Sequence, residues 1–310
     1  MGLVDVPNSR SSHAVPTPKG GGIGILGAFL ACAASFDLSP FFWGPIFVLS
    51  VVSLIGDRID IHPVIRLIIQ FGAAFIVLAG LFHDSSLLVT AAHHFPVEII
   101  GLVLIGCGAA LFMVGTANFY NFMDGINGIA ALTGVVAFSL LAAYGIVNNI
   151  EYEWVVFCIC LALACLGFLP FNFPSARVFM GDVGSVLLGF VYAVIVFIMS
   201  DSLKTFSLLS GFLFTFYADE LITMVERIKD GQSLTTPHRR HLYQVLANEA
   251  GISHWKVSAA YAISQLGVGL LFWKASRLGT GQFLFTILMV ACLFMFTNII
   301  IKNRYLKSSR

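Results

Sequence analysis

Long apolar runs separated by short polar connectors cover the chain from residue 21 to residue 301. A helix needs about 20 mostly apolar residues to cross a bilayer, with about 17 as the lower limit. The pattern therefore predicts about ten transmembrane helices. They are 21–36, 41–56, 64–82, 97–118, 128–147, 154–171, 184–200, 204–226, 257–273 and 282–301. Several are short, and short spans are accommodated by local thinning of the bilayer or by burial in a bundle.

The basic residues sort sharply between two alternating sets of connectors. Ten spans put both termini on one side, together with the connectors 57–63, 119–127, 172–183 and 227–256. Fourteen of the 17 Lys and Arg residues lie in or beside this first set of connectors and termini, and only Lys204, Lys274 and Arg277 lie at the other. Cytoplasmic loops carry the excess of Lys and Arg in membrane proteins, so we expect the first set to be cytoplasmic.

Composition supports a membrane protein over a soluble enzyme. The chain is 58% hydrophobic and 11% charged, with a mean hydropathy of +0.91. We expect an all-α polytopic membrane protein, built as a single domain over 1–310 with 227–256 as a cytoplasmic loop. The net charge of +1 argues against a nucleic-acid partner. The six cysteines lie in apolar runs, which favours buried thiols over disulfides or a zinc site.

The connector "NFYNFMDGING", 118–128, places Asn118, Asn121, Asp124 and Asn127 three residues apart. Its glycines indicate that the helix is broken or tightened here. A simpler interpretation is that Asp124 or Asn127 caps the fifth span, which explains one polar residue and leaves three unexplained.

Three other connectors on the same side carry unusual polar residues. "IGDRIDIHP" contains Asp57, and "FNFPSARVFMGDVGS" contains Asn172, Arg177 and Asp182. Each has an ordinary interpretation, as charge at the membrane edge or as a helix cap. Carboxylates together with phosphates are, however, the ligands that Mg²⁺ prefers.

The third connector, "TPHRRHLYQ", is a compact basic group suited to phosphate, although it also fits an ordinary positively charged loop. Its basic residues are His238, Arg239, Arg240 and His241. Asp219 lies inside the span 204–226, and an ionisable residue there is a functional candidate. Together these residues predict phosphoryl chemistry on a charged cytoplasmic substrate.

At these motifs the chain resembles the polyprenyl-phosphate N-acetylhexosamine-1-phosphate transferases of the MraY and WecA types. The resemblance begins at "PNSRSSHAVPTPKGGGIGI" and continues in order through "DRIDIHP", "NFYNFMDGINGIA", "FNFPSARVFMGDVGS" and "HRRHLYQ". The last motif is most similar to the branch that initiates O-antigen synthesis. The resemblance implies a bacterial inner-membrane enzyme that transfers a sugar-1-phosphate from a UDP-amino sugar to undecaprenyl phosphate and releases UMP. Mg²⁺ is the implied cofactor, with Mn²⁺ as the alternative, and a homodimer is left open.

The resemblance also implies roles for individual residues. Asp182 and Asp124 are expected to bind the metal and, with Asp57, to form the catalytic set. The substrate contacts expected are Lys19, Asn118, Asn121, Asn127, Asn172, Arg177, Asp219, His238, Arg239, Arg240 and His241.

Three departures from the family pattern affect this prediction. Gly56 and Asn127 stand where relatives usually carry acids, so a catalytically impaired relative is one alternative. Members usually have eleven spans, and the first is expected to be absent here, with Met1 an internal start or a truncation. A membrane transporter or flippase is the other alternative, although transporters usually place such groups near the midplane of the bilayer.

Overall fold

The computed structural model describes residues 3–7, 12, 15–59, 61–83, 96–233 and 238–306. Met1 therefore lies outside the described residues, as does part of the loop 227–256. The described chain is a bundle of long helices with one short hairpin, in which β1 (Val4–Asp5) pairs antiparallel with β2 (Thr17–Pro18). An all-α membrane architecture is confirmed.

Helices occupy all ten predicted positions in the described part of the chain. In chain order they are α1 (Gly22–Ser35), α2 (Pro40–Gly56), α3 (Pro63–His83), α4 (Pro96–Phe122), α5 (Ile129–Val147), α6 (Tyr152–Asn172), α7 (Asp182–Ile198), α8 (Leu203–Ser210), α9 (Phe214–Lys229), α10 (His254–Leu278) and α11 (Thr280–Leu306). The predicted span 204–226 is divided into α8 and α9 by a 3₁₀ turn at Gly211–Leu213. The loop 227–256 contains a helical turn at Leu242–Gln244 and a π-helical turn at Val245–Glu249.

Six segments of the described chain are long and apolar enough to cross a membrane by length and composition. They are α3, α4 from Val103, α5, α6, α8–α9 together, and α11. Shorter apolar helices are α1, α2 and α7. The chain is therefore a multi-pass membrane protein.

Helix α7 forms the centre of the bundle, because every residue from Val183 to Val196 is buried. A helix that is apolar all round lies in a protein core or in a membrane, and this one is covered by neighbouring helices. Helices α1, α2 and α4 pack against α7, and α5 packs against α6 and α10. The N-terminus of α7, with Asp182 as its first residue, therefore lies among the ends of several helices.

The N-terminal segment is attached to the chain just before α7. Phe179 donates its backbone N–H to the carbonyl of Pro18 at 2.8 Å, and Gly21 donates to the carbonyl of Phe179 at 2.9 Å. Lys19 forms a parallel bridge with Phe179 between these two bonds. This pairing brings Lys19 close to Asp182, which is 163 positions later in the chain.

Candidate active site at the end of the bundle

Asp182 is held by two side chains from different helices. Arg66, in the second turn of α3, donates from Nη1 to Asp182 Oδ2 at 2.8 Å. Asn121, in the last turn of α4, donates from Nδ2 to Asp182 Oδ1 at 2.9 Å and to Ser185 Oγ at 2.9 Å. Both carboxylate oxygens are therefore oriented before any substrate arrives.

The polar residues of 118–127 form hydrogen bonds to different parts of the protein. Asn118 donates to Gln70 Oε1 on α3 at 2.7 Å, so it joins two helices. Helix α4 ends at Phe122, and the turn that follows, 123–128, carries Asp124. The break expected at the glycines is confirmed. The suggested cap is wrong, since the N-cap of α5 is Gly128, in the left-handed conformation with φ of +82° and no side-chain cap bond.

Asn172 and Ser258 hold the far end of this turn. Asn172 Oδ1 accepts from the backbone N–H of Gly128 at 2.6 Å, and Asn172 Nδ2 donates to the carbonyl of Val178 at 2.9 Å. Ser258 on α10 donates to the carbonyl of Asn127 at 2.7 Å. Asn172 thus ties the Asp124 turn to the segment that leads into Asp182.

Asp57 and Asp124 lie within electrostatic reach of Asp182. Burial and the charge of Asp182 raise the pKa of Asp57 to about 6, against the backbone N–H groups at the start of α7 and the charge of Lys19. Burial and the charges of Asp182 and Asp57 raise the pKa of Asp124 well above its usual range, and Lys19 opposes this. Within the described residues, Asp57 Oδ2 is buried and has no hydrogen-bond partner. The carboxylates of Asp57, Asp124 and Asp182 therefore repel one another at this end of the bundle, and the charge of Lys19 offsets part of that repulsion.

These groups line a polar cavity of about 260 Å³. Of the residues expected from sequence, it brings together Lys19, Asp57, Asn121, Asp124, Asn127, Asn172 and Asp182. It also includes Asp5, which lies 3.6 Å from the Lys19 ammonium group, and Gln244 and His254. Asp5, Gln244 and His254 were not predicted, because single polar residues at the ends of separate elements give no sequence signal for a shared site.

Other expected site residues lie outside this lining. Asn118 lines a small adjoining cavity with Arg66. Arg177 lies in the segment between Asn172 and Val178, and its backbone N–H donates to the carbonyl of Phe171 at 2.8 Å. Arg240 pairs with Asp230 in the loop 227–256.

The histidines of that loop are packed into the protein. His241 is 2% exposed, and its Nε2 lies 3.4 Å from Glu220 Oε2 on α9. Its ring centroid lies 4.7 Å from that of His238. Burial lowers the pKa of each histidine to about 3, with nearby positive charges adding to the effect. Both are therefore neutral at pH 7. Arg239, between them, lies outside the cavity lining.

Asp219 is fully buried on α9. Its carboxylate accepts from the backbone N–H of Leu242 at 2.8 Å and from the hydroxyl of Tyr261 at 2.7 Å. It is not among the residues that line the cavity. The segment 238–243 is called the histidine loop below. Asp219 lies behind this loop and anchors its backbone.

The carboxylates do not make a complete metal cage from protein atoms. Among the described residues, no three His, Cys, Asp or Glu side chains are grouped so that they could hold an ion by themselves. Mg²⁺ in phosphoryl-transfer sites is usually bound by one or two carboxylates and completed by substrate phosphates and water. The donor set, with the unpartnered Asp57 oxygen, fits that mode of binding.

The chain is similar to several polyprenyl-phosphate sugar-1-phosphate transferases along most of its length. The chain is 29% identical over 315 aligned positions to the decaprenyl-phosphate N-acetylglucosaminephosphotransferase of Mycobacterium tuberculosis, covering 89% of this chain and 76% of the relative. It is 28% identical to the undecaprenyl-phosphate alpha-N-acetylglucosaminyl 1-phosphate transferase of Thermotoga maritima, covering 97% and 90%. A probable undecaprenyl-phosphate N-acetylglucosaminyl 1-phosphate transferase of Bacillus subtilis is 25% identical, covering 94% and 82%.

The family model described as glycosyl transferase family 4 matches residues 40–200, just over half of the chain. That range contains Asp57, Asp124 and Asp182, and the fold brings the three together on one cavity. The chain belongs to glycosyl transferase family 4, the family of the polyprenyl-phosphate N-acetylhexosamine-1-phosphate transferases.

Proposed function

We propose that this protein transfers an N-acetylhexosamine-1-phosphate, or a deoxy analogue, from a UDP-sugar to undecaprenyl phosphate. The reaction releases UMP and starts a lipid-linked glycan. The observation that carries the proposal is the convergence of Asp57, Asp124 and Asp182, with Lys19, on one cavity at the end of a membrane bundle. The names of the relatives, which act on undecaprenyl or decaprenyl phosphate, support the same reaction.

The reaction exchanges one phosphorus–oxygen bond for another. An oxygen of the lipid phosphate forms a bond to the phosphorus that carries the sugar. The bond from that phosphorus to the UMP oxygen breaks, and its electron pair leaves with UMP. Such transfers have little covalent chemistry for the protein to perform, so positioning and neutralisation of charge dominate catalysis.

A divalent cation fits the carboxylate cluster, and we propose Mg²⁺ or Mn²⁺ held by Asp182 and Asp124 with support from Asp57. Bound there, the ion would neutralise the charge of the pyrophosphate during transfer. Burial and then mutual repulsion raise the pKa of Asp57 and Asp124, and a bound cation would relieve that repulsion. Arg66 now supplies one positive charge to Asp182.

The side chains around the cluster divide the remaining tasks. Asp57 has a free oxygen and a pKa near 6, so it suits a group that takes a proton from the lipid phosphate near neutral pH. Lys19 supplies a flexible positive charge for a phosphate. Asn127 is neutral, and it suits a hydrogen bond to uracil or ribose.

The histidine loop has a supporting place in this proposal. His238 is neutral and only partly buried, so it would donate a hydrogen bond to a phosphate or a sugar without adding charge, whereas His241 is too deeply buried to reach a substrate. Arg177, Arg239 and Arg240 would add to the positive charge of the connectors that carry the site, which attracts a nucleotide sugar.

The location of the reaction follows from charge and substrate. Lys and Arg are concentrated in the connectors that carry the site, which favours the cytoplasmic side of a bacterial inner membrane. The similarity of "HRRHLYQ" to the O-antigen branch favours a role at the start of O-antigen or cell-envelope polysaccharide synthesis.

UMP release from purified protein tests the proposal. The protein in detergent is given undecaprenyl phosphate, Mg²⁺ and, in turn, UDP-GlcNAc, UDP-GalNAc and UDP-linked deoxy-amino sugars. We expect UMP with at least one donor, and no UMP when undecaprenyl phosphate or the metal is left out. A folded protein that releases no UMP with any donor would support the impaired relative and overturn the proposal.

Asp182→Asn and Asp201→Asn form a matched pair of variants for this assay. Asp201 is an exposed carboxylate in the connector between α7 and α8, at the opposite end of α7 from the cavity. We expect Asp182→Asn to lower kcat at least about 100-fold and Asp201→Asn to leave it unchanged. Full activity of Asp182→Asn would refute its assignment to the metal.

A further inference from the structure

Two buried residues outside the cavity connect α9 to the turn that carries Asp124. We propose that Asp219 and Tyr243 are positioning residues that fix the Asp124 turn through the backbone of the histidine loop. Neither residue is among those that line the cavity. The activity part of this inference rests on the proposed function, whereas its structural part does not.

Asp219 determines where the loop lies. Its Oδ1 accepts from the backbone N–H of Leu242 at 2.8 Å, and its Oδ2 accepts from the N–H of Tyr243 at 3.4 Å and from the hydroxyl of Tyr261 at 2.7 Å. Hydrogen bonds to a buried carboxylate are strong, because water does not compete for its oxygens in the protein interior. Two consecutive backbone N–H groups are thereby fixed against α9.

Tyr243 connects the histidine loop to the turn 123–128, which contains Asp124. It is fully buried, and its hydroxyl donates to the carbonyl of Phe122, the last residue of α4, at 3.0 Å. The same hydroxyl approaches the backbone at Gly125 so closely that a Cβ there would lie 2.2 Å from it. Tyr243 therefore contacts the chain on both sides of Asp124.

The buried ring of Tyr243 packs against two aromatic neighbours. The ring stacks on His241, with centroids 5.6 Å apart and planes 11° apart, and it meets Tyr261 edge-on at 6.4 Å. His241 is itself packed against Glu220. The ring is thus held by His241, which contacts α9, and by Tyr261 on α10. Its hydroxyl therefore contacts the turn 123–128 from a defined position.

This arrangement predicts a kinetic signature that a general loss of stability would not give. Asp124 lies between the two contact points, and small displacements of a catalytic group cost up to about 100-fold in rate. Because neither Tyr243 nor Asp219 touches the cavity, substrate affinity should be less affected than turnover. We expect Tyr243→Phe and Asp219→Asn each to lower kcat by about tenfold or more, with the KM for the UDP-sugar changed less than about twofold.

Tyr192→Phe is the matched control. Tyr192 is also fully buried on a spanning helix, and its hydroxyl donates to the backbone carbonyl of Leu209 at 2.6 Å, away from the cavity. It therefore loses the same kind of bond as Tyr243→Phe. We expect Tyr192→Phe to keep the wild-type kcat. An equal fall in kcat for Tyr192→Phe and Tyr243→Phe would overturn the inference.

A double-mutant cycle tests whether the two residues act as one unit. If Asp219 acts through Tyr243, the double variant should lose about as much kcat as the more impaired single variant. Independent sites instead give additive losses, as we expect for Tyr243→Phe combined with Tyr192→Phe. Additive losses for Asp219→Asn with Tyr243→Phe would contradict the proposed connection.

Gly125→Ala tests the contact itself. The new Cβ would collide with the Tyr243 hydroxyl, whereas the next ring atom lies 3.0 Å away. We expect Gly125→Ala to impair activity and the added change Tyr243→Phe to restore part of it, because Phe lacks the colliding oxygen. A double variant no better than Gly125→Ala would argue against the contact.

Hydrogen exchange separates this inference from the proposed function. The amides of Met123 and Asp124 donate to the carbonyls of Phe119 and Asn121. In protein without substrate, we expect Tyr243→Phe to speed their exchange about tenfold and Tyr192→Phe to leave it unchanged. If wild-type protein released no UMP but this difference held, the proposed function would fail and the positioning role would stand. Unchanged exchange at 122–128 in Tyr243→Phe would refute the positioning role.

Discussion

Asn172→Ala probes the connection between the two halves of the cavity. The side chain is 5% exposed and makes two hydrogen bonds to backbone groups, the Gly128 N–H and the Val178 carbonyl. Alanine leaves both groups without this partner. An unsatisfied buried polar group costs about 1–3 kcal/mol, and the Val178 bond is only partly buried, so we expect a loss of about 2–4 kcal/mol in the free energy of unfolding.

Thermal unfolding in detergent measures this loss. A thiol-reactive dye reports unfolding as the added reaction of the fully buried Cys158 and Cys165, above the constant reaction of the exposed Cys107 and Cys292. A loss of about 2–4 kcal/mol corresponds to a fall in Tm of about 3–6 °C for a chain of this size. Activity should also fall, since Asn172 lines the cavity and ties the Asp124 turn to the segment before Asp182.

Asn148→Ala is the control for this experiment. Asn148 is exposed and also donates from Nδ2 to a backbone carbonyl, that of Tyr144, at 2.8 Å. In Asn148→Ala, water can replace this bond at the exposed Tyr144 carbonyl. We therefore expect the free energy of unfolding to fall by less than about 0.5 kcal/mol. If Asn172→Ala lowered Tm no more than Asn148→Ala, the proposed connection between Gly128 and Val178 would not stabilise the fold, and the reasoning would be refuted.

Three further changes test other parts of the account. Gly128→Ala places a side chain at φ +82° and against the partly buried ring of Phe173, so Tm should fall by about 2 °C or more, and an unchanged Tm would be contrary. Lys19→Met removes the charge that lowers the pKa of Asp57, so the pH of half-maximal activity on the acid side should rise rather than fall in a pH–rate profile. Arg66→Ala leaves Asp182 without its cation. Because the pair is 35% and 25% exposed, we expect a stability loss of at most about 1 kcal/mol and a clear fall in kcat.

The helices were predictable because the bilayer requires continuous apolar runs of a set length. Helix α5, at Ile129–Val147, agrees with the span 128–147 to within one residue at its start. The division of the eighth span at Gly211–Leu213 was not predicted, since hydropathy does not distinguish an α-helix from a 3₁₀ turn. Hydropathy therefore locates helices well and describes their internal geometry poorly.

The carboxylates of the site were predictable, and their partners were not. Asp57, Asp124 and Asp182 stand in recognisable motifs, and the structure brings them to one cavity. Arg66 is one of the basic residues beside the first set of connectors and carries no motif, yet it binds Asp182 from 116 positions away. Gly56 explains part of this, because a Cβ there would lie 2.8 Å from the Arg66 guanidinium. The orientation of α3 against α7 decides this contact, and local pattern does not encode it.

Asp219 shows the opposite case, a residue identified correctly as unusual whose place was not predictable. A carboxylate in a spanning segment suggests function, and the structure shows what the carboxylate binds. Its partners are backbone N–H groups and a tyrosine hydroxyl that lie 23 to 42 positions later. Sequence pattern indicates that such a group needs partners, and only the packed fold shows which ones.

The destination of the sugar-bearing phosphorus tests the central claim most directly. Purified protein is given undecaprenyl phosphate, Mg²⁺ and a UDP-N-acetylhexosamine labelled with ³²P at the phosphate next to the sugar, and lipid and water phases are separated. If Asp57, Asp124 and Asp182 serve sugar-1-phosphate transfer, the label moves to the lipid phase as unlabelled UMP appears, and Asp182→Asn abolishes both. Label that stays in the water phase while the sugar moves to lipid, or no transfer to lipid at all, would contradict the account.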